Sequence, residues 1–162
     1  MRVGELLSLD VADFNFEKNK INITKNKVRY SAEITTPKTA YSVRTIGMPP
    51  SLMQNVRLYI ESLDDIDSPL FQISYSTLSY EMHRYAEKAK LKEIRIHDLR
   101  HSQASLLIHS GVPITTISKR LGHKSPKITL DVYSHMYEES GEQVANMLQN
   151  IFCSVSQNVV KN

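Results

Sequence analysis

Apolar positions recur at two different periods along this chain, and the change falls near Pro50. Before it, short runs at Ile21–Thr24, Ser31–Thr36 and Val43–Met48 predict strands, separated by the polar turns "NFEKNK" and "TPKTAYS". After it the spacing is helical. Leu52, Val56, Tyr59, Ile60 and Leu63 line the first such stretch, and Leu78, Met82, Tyr85 and Ala89 line a second that starts at Ser76. A third helix lies between Glu93 and Gly111, with Leu99, Ala104, Leu106 and Leu107 as its expected core face. A short helix follows with Pro113 at its start and Gly122 just past its end, and the next opens on Ser125 as cap and Pro126 as first residue. Val144, Met147, Leu148, Ile151 and Phe152 make a last apolar stripe. At the other end, "MRVGELLSLDVADF" enters a helical pattern at once, with Val3, Leu6, Leu7 and Leu9 on one side. No capping residue precedes it, so the chain is expected to begin inside an element. These patterns predict a mainly α fold with a small antiparallel three-stranded β-sheet. Residues 1–152 form one domain in this reading, and residues 153–162 a flexible tail.

Composition narrows the function classes. With 162 residues, 41% of them apolar and 23% charged, the chain can bury a core of its own, without a disulfide or structural metal. Cys153 is the only cysteine, which excludes an intramolecular disulfide, leaves no Cys/His set at zinc spacing, and points to a reducing, cytoplasmic setting. No apolar run approaches the ~18 residues of a membrane span. Neither a G-x-x-x-x-G-K-[ST] loop nor a G-x-G-x-x-G turn is present, so neither nucleotide nor any other cofactor is expected. The net charge of +3 is too mild to imply nucleic acid by itself.

The candidate chemistry lies in the second half of the chain. "HDLRHSQASLLIHSG" places His97 and Arg100 on one helix face, with His101 one turn beyond His97. An arginine in a helix's opening turns gains nothing from the macrodipole, which favours anions there. "RLGHKS" delivers His123 just beyond a glycine-ended helix, and "TLDVYSH" contains Tyr133. Singly these are weak signals: a loop histidine is ordinarily just that, and any one of eight tyrosines is ordinarily core.

Taken in order, "RVGELLSL", "TPKTAYSVRTI", "HDLRHSQASLLIHSG", "ISKRLGHKS" and "TLDVYSH" resemble the catalytic domain of the tyrosine recombinases, the phage-integrase family of DNA breaking and rejoining enzymes. The resemblance covers nearly the whole chain and implies that family's catalytic-domain fold. It makes Arg2 and Arg100 the two catalytic arginines, with Glu5 bracing the first. Lys38 matches the hairpin lysine, His97 and His123 the two histidines, and Tyr133 the nucleophile. His101 reads as structural or as a secondary polar contact, and Tyr137 as packing rather than as a rival nucleophile.

Each residue type suits the implied reaction. Attack on a DNA phosphodiester builds charge on the nonbridging oxygens, which two guanidinium forks can clamp without a metal. A phenol with an ordinary pKa of ~10 needs a base or positive field to attack at neutral pH. His97 is the resemblance's candidate for that assistance, His123 for a hydrogen bond to phosphate, and Lys38 for the proton on the leaving 5′-hydroxyl. A 3′-phosphotyrosyl link would store the bond, making the reaction independent of ATP. Lys25, Lys27, Arg29, Lys119, Arg120, Lys124 and Lys127 are candidate phosphate contacts.

Double-stranded DNA is the implied partner, bound by a homo-oligomer. The final stripe either closes the chain's own core, the favoured reading, or is exchanged with a neighbouring protomer. A chain starting so near Arg2 is also expected to lack an amino-terminal DNA-clamping domain, and to have weak or absent activity alone. Three alternatives remain open at this point. They are a type IB topoisomerase-like enzyme, a catalytically inactive DNA-binding remnant, and a metal-dependent nuclease built on Asp10, Asp13, Asp64 and Asp98.

Overall fold

The computed structural model describes residues 1–29, 31, 33–36, 40–66, 68–134, 141 and 144–150. A one-turn helix, α1 (Val3–Leu6), leads through a 3-10 turn (Val11–Asp13) into β1 (Phe14–Asn15) and β2 (Lys20–Ile23). β3 (Asn26–Lys27) and β4 (Ile34–Thr35) form a separate two-stranded ladder, and β5 (Arg44–Gly47) returns to pair with β2. Helices α2 (Pro50–Glu61), α3 (Tyr75–Lys88), α4 (Ile96–His109), α5 (Ile114–Leu121) and α6 (Pro126–Tyr133) follow. Residues 144–150 are helical as well.

The three-stranded antiparallel sheet is present, in the order β1-β2-β5. Its third member is Phe14–Asn15 rather than Ser31–Thr36. The reason is burial: Phe14 stands opposite Ile21, and Ile21 opposite Ile46, so the three side chains share one buried face. Ile34 stays exposed, and β4 pairs only with β3. Leu9, Met53 and Leu70 complete this sheet-side core.

A second core joins α4, α5 and α6 through Ala104, Ile108, Ile117, Leu121 and Tyr133. The inward face of α4 departs from expectation, because Leu99 and Leu106 are 52% and 65% exposed. The buried stripe is Arg100, Ala104 and Ile108, at a spacing of four, with Leu107 partly buried beside it. Small Ala104 lets the neighbouring helices approach, and the same stripe then carries the Arg100 head inward.

Helix α3 starts two residues earlier than expected, since Ser74, not Ser76, caps it by accepting from the Thr77 N–H (3.0 Å). The final stripe does not close the core over its described part: Val144, Met147 and Leu148 are all exposed. Ile151 and Phe152 lie outside the described residues. Among the described residues no helix is long and apolar enough to cross a membrane.

Candidate active site

Four parts of the fold meet at a cavity of about 510 Å³ whose lining includes Arg2, His97, Arg100, His101, His123 and Tyr133. Arg2 comes from the start of α1, the next three residues from α4, His123 from the α5–α6 loop and Tyr133 from the last turn of α6. The lone motifs of the sequence thus converge. Lys38 and Tyr137 lie outside the described residues.

Local rules explain how each group is aimed. In the first turn of α4, Asp98 accepts a hydrogen bond from the Arg95 N–H (2.9 Å), supplying the anionic cap that an arginine there cannot. Helix α5 ends on Gly122 in the left-handed region (φ 70°), which turns the chain so that the His123 N–H donates back to the Ser118 carbonyl (3.1 Å). A β-carbon on Gly122 would also lie 2.7 Å from Arg44 Nη1, so glycine is required twice over. Ser125 then caps α6 by accepting from the Lys127 N–H, with Pro126 as first residue, as the sequence predicts.

Arg100 is 8% exposed, and its Nη2 donates to the Leu121 carbonyl and to His123 Nε2 (3.1 Å). Its Nη1, equally buried, has no hydrogen-bond partner among the described residues. Burial and the nearby Arg2 charge lower the Arg100 pKa to about 10, which leaves it cationic at neutral pH. An unmatched buried donor costs roughly 1–3 kcal/mol, so the site holds an unsatisfied appetite for an acceptor.

Because Arg100 can only donate, His123 Nε2 is the unprotonated nitrogen, and Nδ1–H donates to Thr129 Oγ1 (2.8 Å). Burial, then the charges of Arg100, Arg2 and Arg44, bring the His123 pKa down to about 4. The Tyr133 hydroxyl is hydrogen-bonded to His101 Nδ1 (2.7 Å). Burial raises the Tyr133 pKa, and the charge of Arg100 opposes that shift. His97 is exposed, its ring edge-on to His101 with centroids 4.8 Å apart, and desolvation, then His101 and Arg100, lower its pKa.

Glu5 is only 2% exposed and does brace Arg2: it accepts from the Arg2 N–H (2.6 Å) and from Arg2 Nη1 (3.1 Å). Arg2 Nη2 also reaches the Gly122 carbonyl (3.4 Å). The larger partner of Glu5 escaped notice in the sequence. Arg44 donates through Nη1 and Nη2 to both carboxylate oxygens (3.0 and 2.8 Å), and through Nε to the Arg120 carbonyl (2.8 Å). Burial pushes the Glu5 carboxyl up, but hydrogen bonds from Arg44 and the Arg2 backbone hold it below the usual range. The signal was available: Arg44 lies two residues before buried Ile46, on the same face of β5, where a charge needs a partner.

The outlying cations divide. Lys25 is not a free phosphate contact, because it is ion-paired with Asp10 and Asp13 (2.9 Å to the latter). Arg120 Nη1 donates to the Gly47 carbonyl (2.7 Å), stitching α5 to the sheet. Lys27 and Arg29 line a cavity of about 700 Å³ that shares Arg2 and His97 with the site, and Arg29 sits 4.2 Å over the Tyr75 ring. Lys119, Lys124 and Lys127 are exposed, and Lys124 lies at the rim of the site cavity. Asp10 and Asp13 are engaged by Lys25, and Asp98 by Arg95, so three of the four acids suggested for a metal-dependent nuclease are held in ion pairs. Among the described residues no three His, Cys, Asp or Glu side chains come together as metal ligands.

Comparison with known proteins agrees with this geometry. The model of the phage integrase family matches residues 1–140. The chain belongs to the phage integrase family. Its relatives in that family include the ICEBs1 integrase of Bacillus subtilis (strain 168), 30% identical over 93% of this chain and 46% of that protein. Tyrosine recombinase XerA of Pyrococcus furiosus is 29% identical over 93% of this chain and 52% of that protein. The integrase fold is shared with the Tn1549 transposon integrase solved in complex with circular intermediate DNA. That match has a TM-score of 0.78 at 23% identity, over 91% of this chain and 56% of that one. For the crystal structure of XerA recombinase the TM-score is 0.66 at 24% identity, over 86% of this chain and 52% of that one. This integrase-family chain therefore spans about half the length of the relatives it matches.

Proposed function

We propose that this chain carries the strand-cutting chemistry of a site-specific DNA recombinase, with Tyr133 as nucleophile. The observation that carries the reading is the buried Nη1 of Arg100, without a hydrogen-bond partner among the described residues, in the cavity that Arg2, His123 and Tyr133 also line. A phosphodiester oxygen there would satisfy that donor, and Arg2 would clamp the second nonbridging oxygen. His123 would add a hydrogen bond once protonated on Nε2, and His97 also lines the cavity.

Attack by the Tyr133 oxygen forms the bond to phosphorus while the bond to the 5′ oxygen breaks, giving a 3′-phosphotyrosyl link and a free 5′-hydroxyl. Lys38 is the residue proposed to protonate that leaving oxygen. The link preserves the phosphodiester energy, so rejoining needs neither ATP nor metal. Arg2 held at the cavity by Glu5 and the Gly122 carbonyl favours an enzyme over an inactive binding module.

Double-stranded DNA is the proposed partner, and the solved integrase relatives bound to DNA support it. Lys27, Arg29 and Lys124 are placed to meet flanking phosphates. Exposed Val144, Met147 and Leu148 support exchange of the last helix between protomers on DNA.

Covalent trapping tests the reading. A nicked duplex that loses its 5′-hydroxyl fragment on cleavage is incubated with the chain in EDTA and low salt. A protein–DNA adduct that vanishes in Tyr133→Phe and persists in Tyr137→Phe is expected. Adduct formation in Tyr133→Phe would overturn the assignment. Strand exchange between two marked duplexes, as opposed to relaxation alone, separates a recombinase from a topoisomerase-like enzyme.

A further inference from the structure

We propose that His101, rather than His97, takes the proton from the Tyr133 hydroxyl as it attacks; the inference rests on the nucleophile assignment above. The motif that drew attention to α4 was H-x-x-R, and His101 stands one residue beyond it. The fold makes that residue the one that touches the reacting atom. Its Nδ1 is 2.7 Å from the Tyr133 oxygen, a short hydrogen bond between α4 and α6. His97 lies one turn earlier and meets His101 edge-on, and among the described residues the hydrogen bond of the Tyr133 hydroxyl is to His101.

Two features make a base at this point necessary. Tyr133 is only 5% exposed, so bulk water is poorly placed to accept its proton. Burial also raises the phenol's pKa, with the Arg100 charge only partly opposing it. A neutral imidazole carrying its proton on Nε2 presents the Nδ1 lone pair along the existing hydrogen bond.

The step balances simply. The phenol proton passes to Nδ1, the oxygen's electron pair forms the bond to phosphorus, and the pair of the breaking bond leaves on the 5′ oxygen. That oxygen is protonated by a separate acid, the role proposed for Lys38. In rejoining, the 5′-hydroxyl attacks phosphorus and gives its proton back to Lys38, while the His101 imidazolium returns its proton to Tyr133 as the phosphotyrosyl bond breaks. The titratable and charged groups around His101 are His97, Asp98 and Arg100 on its own helix, Tyr133 on α6 and His123 on the α5–α6 loop.

The test has two arms. Imidazole-¹⁵N NMR of the chain reads the hydrogen bond without DNA. At pH 8, His101 Nδ1 is expected to be the unprotonated nitrogen, and its resonance to move in Tyr133→Phe. A protonated Nδ1, or a resonance indifferent to Tyr133→Phe, would overturn the proposal. The second arm is single-turnover adduct formation on the nicked duplex across pH. The parent rate is expected to reach a plateau below the phenol range. His101→Gln keeps a hydrogen-bonding side chain but cannot take the proton. Its rate should fall by about 10²-fold and keep rising with pH toward the phenol range near ~10.

His97→Gln is expected to lower the rate while keeping the parent's profile. A His101→Gln rate within about twofold of the parent, or faster than it, would overturn the proposal, as would a profile altered by His97→Gln instead. Should the parent itself form no adduct, the nucleophile reading falls, and the proton transfer with it. That outcome is distinguishable, because parent, Tyr133→Phe and His101→Gln are then equally silent. Melting temperatures of the variants, expected within a few degrees of the parent, separate lost chemistry from lost fold.

Discussion

Arg44 and Glu5, 39 positions apart, form a two-pronged ion pair (3.0 and 2.8 Å) whose side chains are 8% and 2% exposed. The pair joins the sheet to the first helix. Through the Arg44 Nε bond to the Arg120 carbonyl, it also fixes the end of α5 from which His123 is presented. Arg2 hangs from the same carboxylate, so one buried anion positions both arginines beside the site cavity.

Removing one member of such a pair leaves a buried charge without its partner. Arg44→Met is therefore expected to cost about 3–5 kcal/mol of stability, read by chemical denaturation. Arg44→Lys should recover only part of this, since an ammonium cannot make the two-pronged contact. The Glu5 pKa is depressed in the folded chain, so its contribution is present above the ordinary carboxylate pKa and is lost as pH falls through the folded value. Acid should accordingly narrow the gap between parent and Arg44→Met.

Two glycines have left-handed φ angles, and they make an internal control. Gly111 (φ 75°) has open space where a β-carbon would go, whereas at Gly122 (φ 70°) that carbon would meet the Arg44 guanidinium at 2.7 Å. Gly111→Ala is expected to cost about 1–2 kcal/mol, the backbone term alone. Gly122→Ala should cost clearly more and lower adduct formation, because it displaces both Arg44 and the turn into His123. Equal losses of stability in the two variants would contradict the packing argument.

His123 should titrate abnormally and respond to phosphate. With its folded pKa near 4 against an ordinary 6.5, the native chain binds fewer protons than the unfolded chain between those values. Its contribution to stability is thus complete above about pH 6.5 and is lost as pH falls toward 4. NMR of the His123 ring is expected to show a midpoint near 4 in the free chain. Adding the nicked duplex should move it upward, since a phosphate offsets the surrounding arginine charges. A midpoint near 6.5 in the free chain would contradict the burial argument.

Cations of similar appearance in the sequence should behave differently on DNA. Lys25 is ion-paired with Asp10 and Asp13, while Lys124 stands exposed at the rim of the site cavity. Lys124→Ala is expected to weaken duplex binding and reduce the slope of log affinity against log salt by about one. Lys25→Ala should leave that slope nearly unchanged and lower the melting temperature instead. Fluorescence anisotropy across a salt series distinguishes the two.

What could be read from the sequence follows from local backbone rules. Ser125 and Pro126 start α6, Gly122 ends α5, and the alternation at Ile21 and Ile46 marks inward positions, because capping, φ preference and the strand repeat act within a few residues. The spacing of His97 and Arg100 places them near one another for the same reason. The five ordered motifs then placed the family, and through it the residues that meet at the cavity.

Tertiary structure alone decided which of two apolar faces α4 buries. Leu99 and Leu106 looked like core, but α5 and α6 meet the narrower stripe of Ala104 and Ile108, with Arg100 in line. It decided that Phe14, rather than the segment around Ile34, adds the third strand. It also set His101 against Tyr133, and Arg44 against Glu5. Burial and pairing are properties of two surfaces at once. A side chain's own periodicity shows which way it can face, and only the element packed against it settles which way it does.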